Sequence, residues 1–283
     1  MLEKELETAI SLAKKAGEVI REYYALDIIQ EEKLGVDNFA EPVTAADREA
    51  SRIIVKGLAE AFPNDGILSE EEIDDTGKRL ASSRVWIIDP IDGTSGFIKK
   101  DGDFAVQIGL AGEGVPVLGV VLFPARDAFY YAVKGNGAFL IEGENNPVRM
   151  SVSSETDFSK MNLAASRNHR SPNMSQIIRG FGFGKEVQRG SVGLKVGLIT
   201  EQLCDIYLHL SPRTKSWDTC GPQLILEESG GRMTDIFGQP MKYDLHDVQN
   251  YNGILASNGS SHDAAVKKLR PLLNEIGRLK LGI

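Results

Sequence analysis

The sequence predicts a mixed α/β protein, α+β in its arrangement, over 283 residues. Three observations carry this. The chain opens on a helical apolar period. Short apolar segments between Gly- and Pro-containing turns fill its middle. Strand-like and helix-like segments then alternate to the C-terminus. Leu6, Ile10, Ala13, Gly17, Ile20 and Tyr24 recur at spacings of three and four, one apolar face of an opening helix. A loop with Gly35, Asp37 and Asn38 follows. Thr44 and Asp47 make a Thr-x-x-Asp capping pattern before a second helix with Ile53, Ile54, Leu58 and Ala61. Pro63-Asn64-Asp65-Gly66 is a turn, and Ile67-Leu68 a short strand ending in Ser69-Glu70-Glu71-Glu72.

Arg84 to Ile88 reads as a strand that ends at Asp89-Pro90, because proline cannot continue a central strand. Phe104 to Leu110, Val117 to Phe123 and Phe129 to Val133 follow, separated by Gly and Pro turns, and predict an antiparallel meander. The second half predicts strands near Leu163-Ser166, Asp205-Leu210, Met233-Ile236 and Gly253-Ser257. It predicts helices near Ser175-Gly180, Gly193-Glu201, Asp218 to Glu228 and His262 to Ile276. The polar stretch Glu142 to Ser151 marks a boundary between an N-terminal half, 1–145, and a C-terminal half, 146–283.

Composition excludes several classes. Hydrophobic residues at 42% and charged residues at 25% are ordinary for a folded globular chain. The net charge of −8 argues against binding a nucleic-acid polymer. The longest apolar stretch, Val115 to Phe123, is too short to cross a bilayer, so no membrane partner is expected. Two cysteines, Cys204 and Cys220, do not make a disulfide framework and point to a reducing, cytoplasmic setting. The acidic, amphipathic N-terminus does not read as a signal peptide.

The chemistry concentrates in Trp86 to Phe97. An apolar strand runs into Asp89-Pro90-Ile91-Asp92, then Gly93-Thr94-Ser95. Two carboxylates at a strand end, with the Ile91 carbonyl between them, are hard oxygen donors of the kind Mg²⁺ prefers. Backbone N–H groups at Gly93 and Thr94, where a helix starts, can hold a phosphate. A haloacid-dehalogenase-type D-x-D-G-T string needs an aspartate where this chain has Pro90, so its nucleophile is missing. Trp217-Asp218-Thr219-Cys220-Gly221-Pro222 puts an acid at the start of an apolar helix, where an N-cap is the plain reading. Gly66 to Glu71 puts acids after a strand. The four histidines make no H-E-x-x-H spacing.

Taken together, P-V-T-A-A-D, G-I-L-S-E-E, D-P-I-D-G-T and W-D-x-x-G-P resemble, in order and approximate spacing, the motifs of the inositol monophosphatase superfamily, the lithium-sensitive, Mg²⁺-dependent phosphatases. The resemblance spans nearly the whole chain. It implies a layered α-β-α-β-α sandwich. It also implies that Glu70, Asp89 and the Ile91 carbonyl hold one Mg²⁺, that Asp89, Asp92 and Asp218 hold a second, and that Glu70 reaches a weaker third through water. Gly93, Thr94 and Ser95 would bind phosphate, and Thr94 would pair with Asp47 to activate water. Two cations neutralise a dianionic ester, align an in-line water and steady the leaving alkoxide. A non-catalytic relative is disfavoured, because the ligand set is intact.

Within that superfamily two segments resemble the 3′(2′),5′-bisphosphate nucleotidase branch: Ser166-Arg167-Asn168-His169-Arg170, like its S-R-x-H, and Gly190-Ser191 with Lys195, like its G-S-x-x-x-K. They imply substrate contacts from His169, Ser191 and Lys195 and a nucleotide substrate. Ser95 stands where that branch usually has lysine. Inositol-1-phosphate, histidinol phosphate and fructose-1,6-bisphosphate stay open, as do monomer or homodimer and contacts from His209, Arg213 and Lys215.

Overall fold

The computed structural model describes residues 2–35, 40–167, 171 and 173–282. His169, Asp37 and Asn38 lie outside the described residues. The opening apolar period forms α1 (Glu3–Ala25), which buries Ala9, Ala13, Ala16, Gly17 and Ile20. The segment read as a loop is flanked by two strands, β1 (Gln30–Leu34) and β2 (Ala40–Thr44), paired antiparallel from Gln30↔Thr44 to Leu34↔Ala40. The residues of β1, Gln-Glu-Glu-Lys-Leu, are almost all exposed. They carry no period-2 apolar signal, which is why the sequence hides this hairpin.

The capping pattern starts α2 (Ala45–Ala61) as expected. Next come β3 (Gly66–Ser69), α3 (Thr76–Ala81), β4 (Arg84–Asp92) and α4 (Thr94–Ile98). Four antiparallel strands follow: β5 (Ala105–Gly112), β6 (Val115–Phe123), β7 (Ala128–Val133) and β8 (Gly137–Glu142). A short β9 (Val148–Arg149) joins them. The sheet order is β3-β4-β5-β6-β7-β8-β9, with β3 parallel to β4. One expectation is corrected here. β4 does not stop at Pro90 but runs to Asp92, with an irregularity in its register against β5 between Asp89 and Asp92. Pro90 is tolerated because its β3 partner has already ended, at Ser69↔Ile88, and because the irregular register asks no ladder donor of it.

The second half builds β10 (Asn162–Ser166), α5 (Met174–Phe181), β11 (Lys185–Arg189), α6 (Val192–Thr200), β12 (Ile206–His209), α7 (Ser216–Glu228), β13 (Arg232–Thr234), β14 (Ile254–Ser257) and α8 (His262–Glu275). The sheet order is β11-β10-β12-β14-β13. Strand β11 is charged and half exposed, and sequence patterning misses it.

These elements stack in five layers. Helices α1 and α2 pack on one face of the seven-stranded sheet, through a core that includes Ile20, Ile54, Trp86, Ile88 and Phe97. Helices α6 and α7 lie between the two sheets, in a core with Tyr130, Leu194, Tyr207 and Leu224. The far face of the second sheet carries α5 and α8, over Leu163, Ile177, Leu208 and Leu269. This is the α-β-α-β-α sandwich. Among the described residues no helix is long and apolar enough to cross a membrane.

Candidate active site

One cavity of about 180 Å³ collects the acids. It lies where β4 runs past the end of β3 and where α4, α6 and α7 begin. Asp89, Asp92 and Asp218 meet there, with one carboxylate oxygen from each within 4.8 Å of the others. Asp89 and Asp92 are buried, at 1% and 6% exposure, and Asp218 is partly buried. Burial pushes the Asp89 carboxyl well above the usual range, and the charges of Glu70, Asp92 and Asp218 push it further. Burial and Asp92 do the same to Asp218. Asp92 is also raised by burial, though Lys195, Ser191 and the Gly193 and Val192 amides oppose this. Three converging carboxyls that repel one another fit a hard divalent cation, which would neutralise them and accept their oxygens.

Local structure sets each acid. Asp89 Oδ1 accepts from the Ile91 amide at 3.0 Å. Asp92 Oδ2 accepts from Ser191 Oγ at 2.5 Å, from the Val192 amide at 2.6 Å, from the Gly193 amide at 3.2 Å and from Gln107 Nε2. Asp218 is the third residue of α7 and not its N-cap. Its Oδ2 reaches back to the Lys215 amide at 2.6 Å. Asp47 plays the same part in α2, where Oδ2 accepts from the Thr44 amide at 2.8 Å and from Thr44 Oγ1 at 2.6 Å. Its Oδ1 faces Thr94 Oγ1 at 3.2 Å, and that hydroxyl also lies 3.1 Å from the Ile91 carbonyl. Burial lifts Asp47 to about 6, against the pull of its Thr44 bonds.

Glu70 follows β3 and lines the cavity beside Asp89, outside the three-acid cluster. Lys33 of β1 donates to Glu70 at 2.9 Å and also to Glu71. Burial and the Glu70 charge lift Glu71 to about 7. Glu41 of β2 pairs with Lys215. The hairpin is thus tied to the site at both strands. Gly93 (φ +98°) turns the chain from β4 into α4, and a Cβ there would sit 2.6 Å from the Asp103 carbonyl oxygen. Gly93, Thr94 and Ser95 line the cavity.

Lys195, on the helix seated by Asp92, also lines the cavity and is 1% exposed. Its Nζ donates to the Gly190 carbonyl at 3.0 Å and stands 4.9 Å over the Tyr207 ring. Burial pulls it down to about 8, although Asp92, Asp218 and Asp103 act against that. His209, Arg213 and Lys215 also line the cavity. Ser191 is buried; its hydroxyl donates to Asp92 and accepts from the Leu194 amide at 3.1 Å, so it caps α6. Sequence reasoning missed Lys33, Glu41, Gln107 and Tyr207. Gln107 had a signal, as a lone amide in the apolar run Phe104 to Leu110.

The sequence model of the inositol monophosphatase family matches residues 1–274. The chain belongs to the inositol monophosphatase family. It is therefore a phosphatase, and members of this family are generally Mg²⁺-dependent. Among family members, the chain is 32% identical over 244 residues to the 3′(2′),5′-bisphosphate nucleotidase CysQ of Escherichia coli K12, covering 84% of this chain and 93% of that protein. It is 30% identical over 276 residues to a fructose-1,6-bisphosphatase/inositol-1-monophosphatase of Thermotoga maritima, covering 96% and 98%. A solved inositol monophosphatase from Thermotoga maritima superposes with a TM-score of 0.79 at 27% identity, covering 97% of this chain and 100% of that one.

Proposed function

We propose that the protein is a Mg²⁺-dependent phosphomonoesterase that removes the 3′-phosphate of a 3′(2′),5′-bisphosphate nucleotide such as 3′-phosphoadenosine 5′-phosphate, leaving AMP and phosphate. The observation that carries this reading is the buried Lys195, a cation in the same cavity as the acids, with Arg213 and Lys215 lining it too. An ester with a second phosphate meets a cation there, and a simple monoester gains nothing from it. CysQ relatives support the same choice.

In this reading Asp89, Asp92 and Asp218 hold the cations, with Glu70 and the Ile91 carbonyl completing the first site. The cations supply charge neutralisation and an activated water. Thr94 donates to Asp47 Oδ1, which leaves its oxygen lone pairs to accept from the attacking water, and Asp47 takes up the proton. Gly93 and Ser95 steady the phosphoryl oxygens. The nucleotidase resemblance assigns the nucleoside to His169, which lies outside the described residues, and Ser191 holds α6 at the site. The division at 145/146 separates most metal ligands from the substrate-reading residues and Asp218. The reading sets the enzyme in the cytoplasm, where Cys204 and Cys220 stay reduced.

The test is a phosphate-release panel with Mg²⁺ over 3′-phosphoadenosine 5′-phosphate, inositol-1-phosphate, fructose-1,6-bisphosphate and histidinol phosphate. The nucleotide should give the highest kcat/KM. Lys195→Ala should lower kcat/KM for the nucleotide by roughly one to two orders of magnitude and for inositol-1-phosphate by clearly less, the remainder reflecting the ammonium's charge on Asp92. A wild-type preference for inositol-1-phosphate, or equal loss on both substrates, refutes the nucleotidase reading. The second reading is an inositol or fructose-bisphosphate phosphatase, favoured by the Thermotoga relative that matches nearly the whole chain.

A further inference from the structure

One oxygen of Asp92 carries four donors: Ser191 Oγ, the Val192 and Gly193 amides, and Gln107 Nε2. A carboxylate offers about two lone-pair directions on each oxygen. Oδ2 is therefore saturated, and a cation can approach Asp92 only through Oδ1. Three of these donors belong to the cap and first turn of α6 and come with the helix. Gln107 is different. It stands in the middle of β5, between Val106 and Ile108, and is fully buried.

A carboxylate can only accept, so the Gln107 amide nitrogen faces Asp92 and its Oε1 faces away. That Oε1 has no hydrogen-bond partner among the described residues. A buried acceptor left unpaired lowers stability, and an apolar side chain of similar volume would not incur that penalty. The start of α6 packs closely against Gln107: a Cβ on Gly193 would lie 3.3 Å from Gln107 Oε1 and 2.8 Å from a Val121 methyl, too near for a side chain. Strand β5 thus holds a residue that weakens the core where it touches a carboxylate of the acid cluster. The trade makes sense if the amide serves that carboxylate.

We propose that Gln107 is a positioning residue for the metal centre. Its amide, together with the start of α6, dedicates Asp92 Oδ2 to the protein and turns Oδ1 alone toward Asp89 and Asp218. Because the same oxygen seats α6, which carries Lys195, ion affinity and the placement of Lys195 are coupled through Asp92. The proposal rests on the reading of the acid cluster as a divalent-cation site.

The experiment uses the full chain with Gln107→Leu and Gln107→Met. Mn²⁺ and Mg²⁺ binding is measured by titration calorimetry, and thermal unfolding is followed in EDTA. The expected result is a ten- to hundredfold weaker Mn²⁺ affinity, the range found when an outer partner of a metal ligand is removed. The Tm in EDTA should hold or rise, since the unpaired oxygen is gone. Mn²⁺ affinity within about twofold of wild type overturns the proposal. If Gln107→Leu loses both affinity and Tm, the unbranched Gln107→Met decides. Restored Tm with affinity still lost supports the proposal, and recovery of both overturns it. A wild-type chain that binds neither ion overturns the metal-centre reading itself, and that result is visible before any variant is made.

Discussion

At the residue scale, the partners of each acid determine what its replacement does. Asp92→Asn keeps the shape of the side chain, but the four donors on Oδ2 force the amide oxygen to face them. The new NH₂ then points into the acid cluster, where a cation needs an acceptor. Turnover should fall by a factor on the order of 10³ or more, as expected when metal-borne transition-state stabilisation is lost. Phosphate release at saturating Mg²⁺ measures this, and near-normal turnover would remove Asp92 from the centre. Thr94→Ser keeps the hydroxyl that bridges Asp47 and the Ile91 carbonyl, whereas Thr94→Ala deletes it. The first should keep most of the activity, and the second should lose about 10²–10⁴-fold, the usual worth of a positioned proton-transfer group. Equal rates for the two variants would exclude the hydroxyl from catalysis.

At the element scale, helix α7 delivers Asp218, and two glycines set how close it lies. Gly109 of β5 and Gly119 of β6 are paired directly across the sheet. A Cβ on Gly109 would sit 2.7 Å from Cys220 Sγ, and one on Gly119 would sit 2.4 Å from the Gly221 carbonyl oxygen. The helix backbone rests on this bare patch, and backbone cannot swing aside as a side-chain tip can. Gly119→Ala should cost about 1–3 kcal/mol, the usual range for overpacking, and should weaken Mg²⁺ binding by shifting Asp218. Thermal unfolding and titration calorimetry on one sample check both effects. A wild-type Tm would show that α7 is not wedged against β6. Helix starts are legible in sequence when a capping residue and an apolar period coincide, as at Thr44 and Asp47. The β1–β2 hairpin was not legible. Its strands are held by Lys33 on Glu70 and Glu71 and by Glu41 on Lys215, contacts that join distant parts of the chain.

At the scale of the whole molecule, the buried acids make stability depend on pH and on metal together. Burial lifts Asp47 to about 6 and, helped by Glu70, Glu71 to about 7; Asp89 and Asp218 are raised as well. In the unfolded chain each ionises near pH 4. Between about pH 4 and pH 7 these acids hold more protons in the metal-free fold than in the unfolded chain, so their contribution to stability falls as pH rises; His262, pulled down to about 4 by burial, offsets part of this below about pH 6.5. Asp47 alone, lifted by burial to about 6, accounts for on the order of 3 kcal/mol of the acids' contribution. Lys195, pulled down to about 8 by burial, acts above that window: its penalty is full below pH 8 and fades as pH rises. In EDTA the Tm should be several degrees higher at about pH 5 than at about pH 7.5. With saturating Mg²⁺ the order should reverse, because only ionised carboxylates bind the cation. The same pH slope with and without Mg²⁺ would count against a metal centre built from these acids.

The sequence by itself determined the family, the five-layer sandwich implied by that family and the meander at its centre. Those features are written in local strings, such as Asp89 to Thr94, and in apolar periods that neighbouring residues set on their own. It also named Asp89, Asp92 and Asp218, whose convergence follows from motif order alone only once the family is known. Tertiary structure decided the rest. That β4 passes through Pro90 depends on where its neighbour β3 ends. That Asp218 caps from the third position of α7 depends on the Lys215 amide turning toward it. That Gln107 faces Asp92, 15 residues earlier, depends on the β4–β5 register. Each of these is a contact between separate strands or helices, and a side chain's partner across a sheet or layer is fixed by packing, which no single stretch of sequence contains.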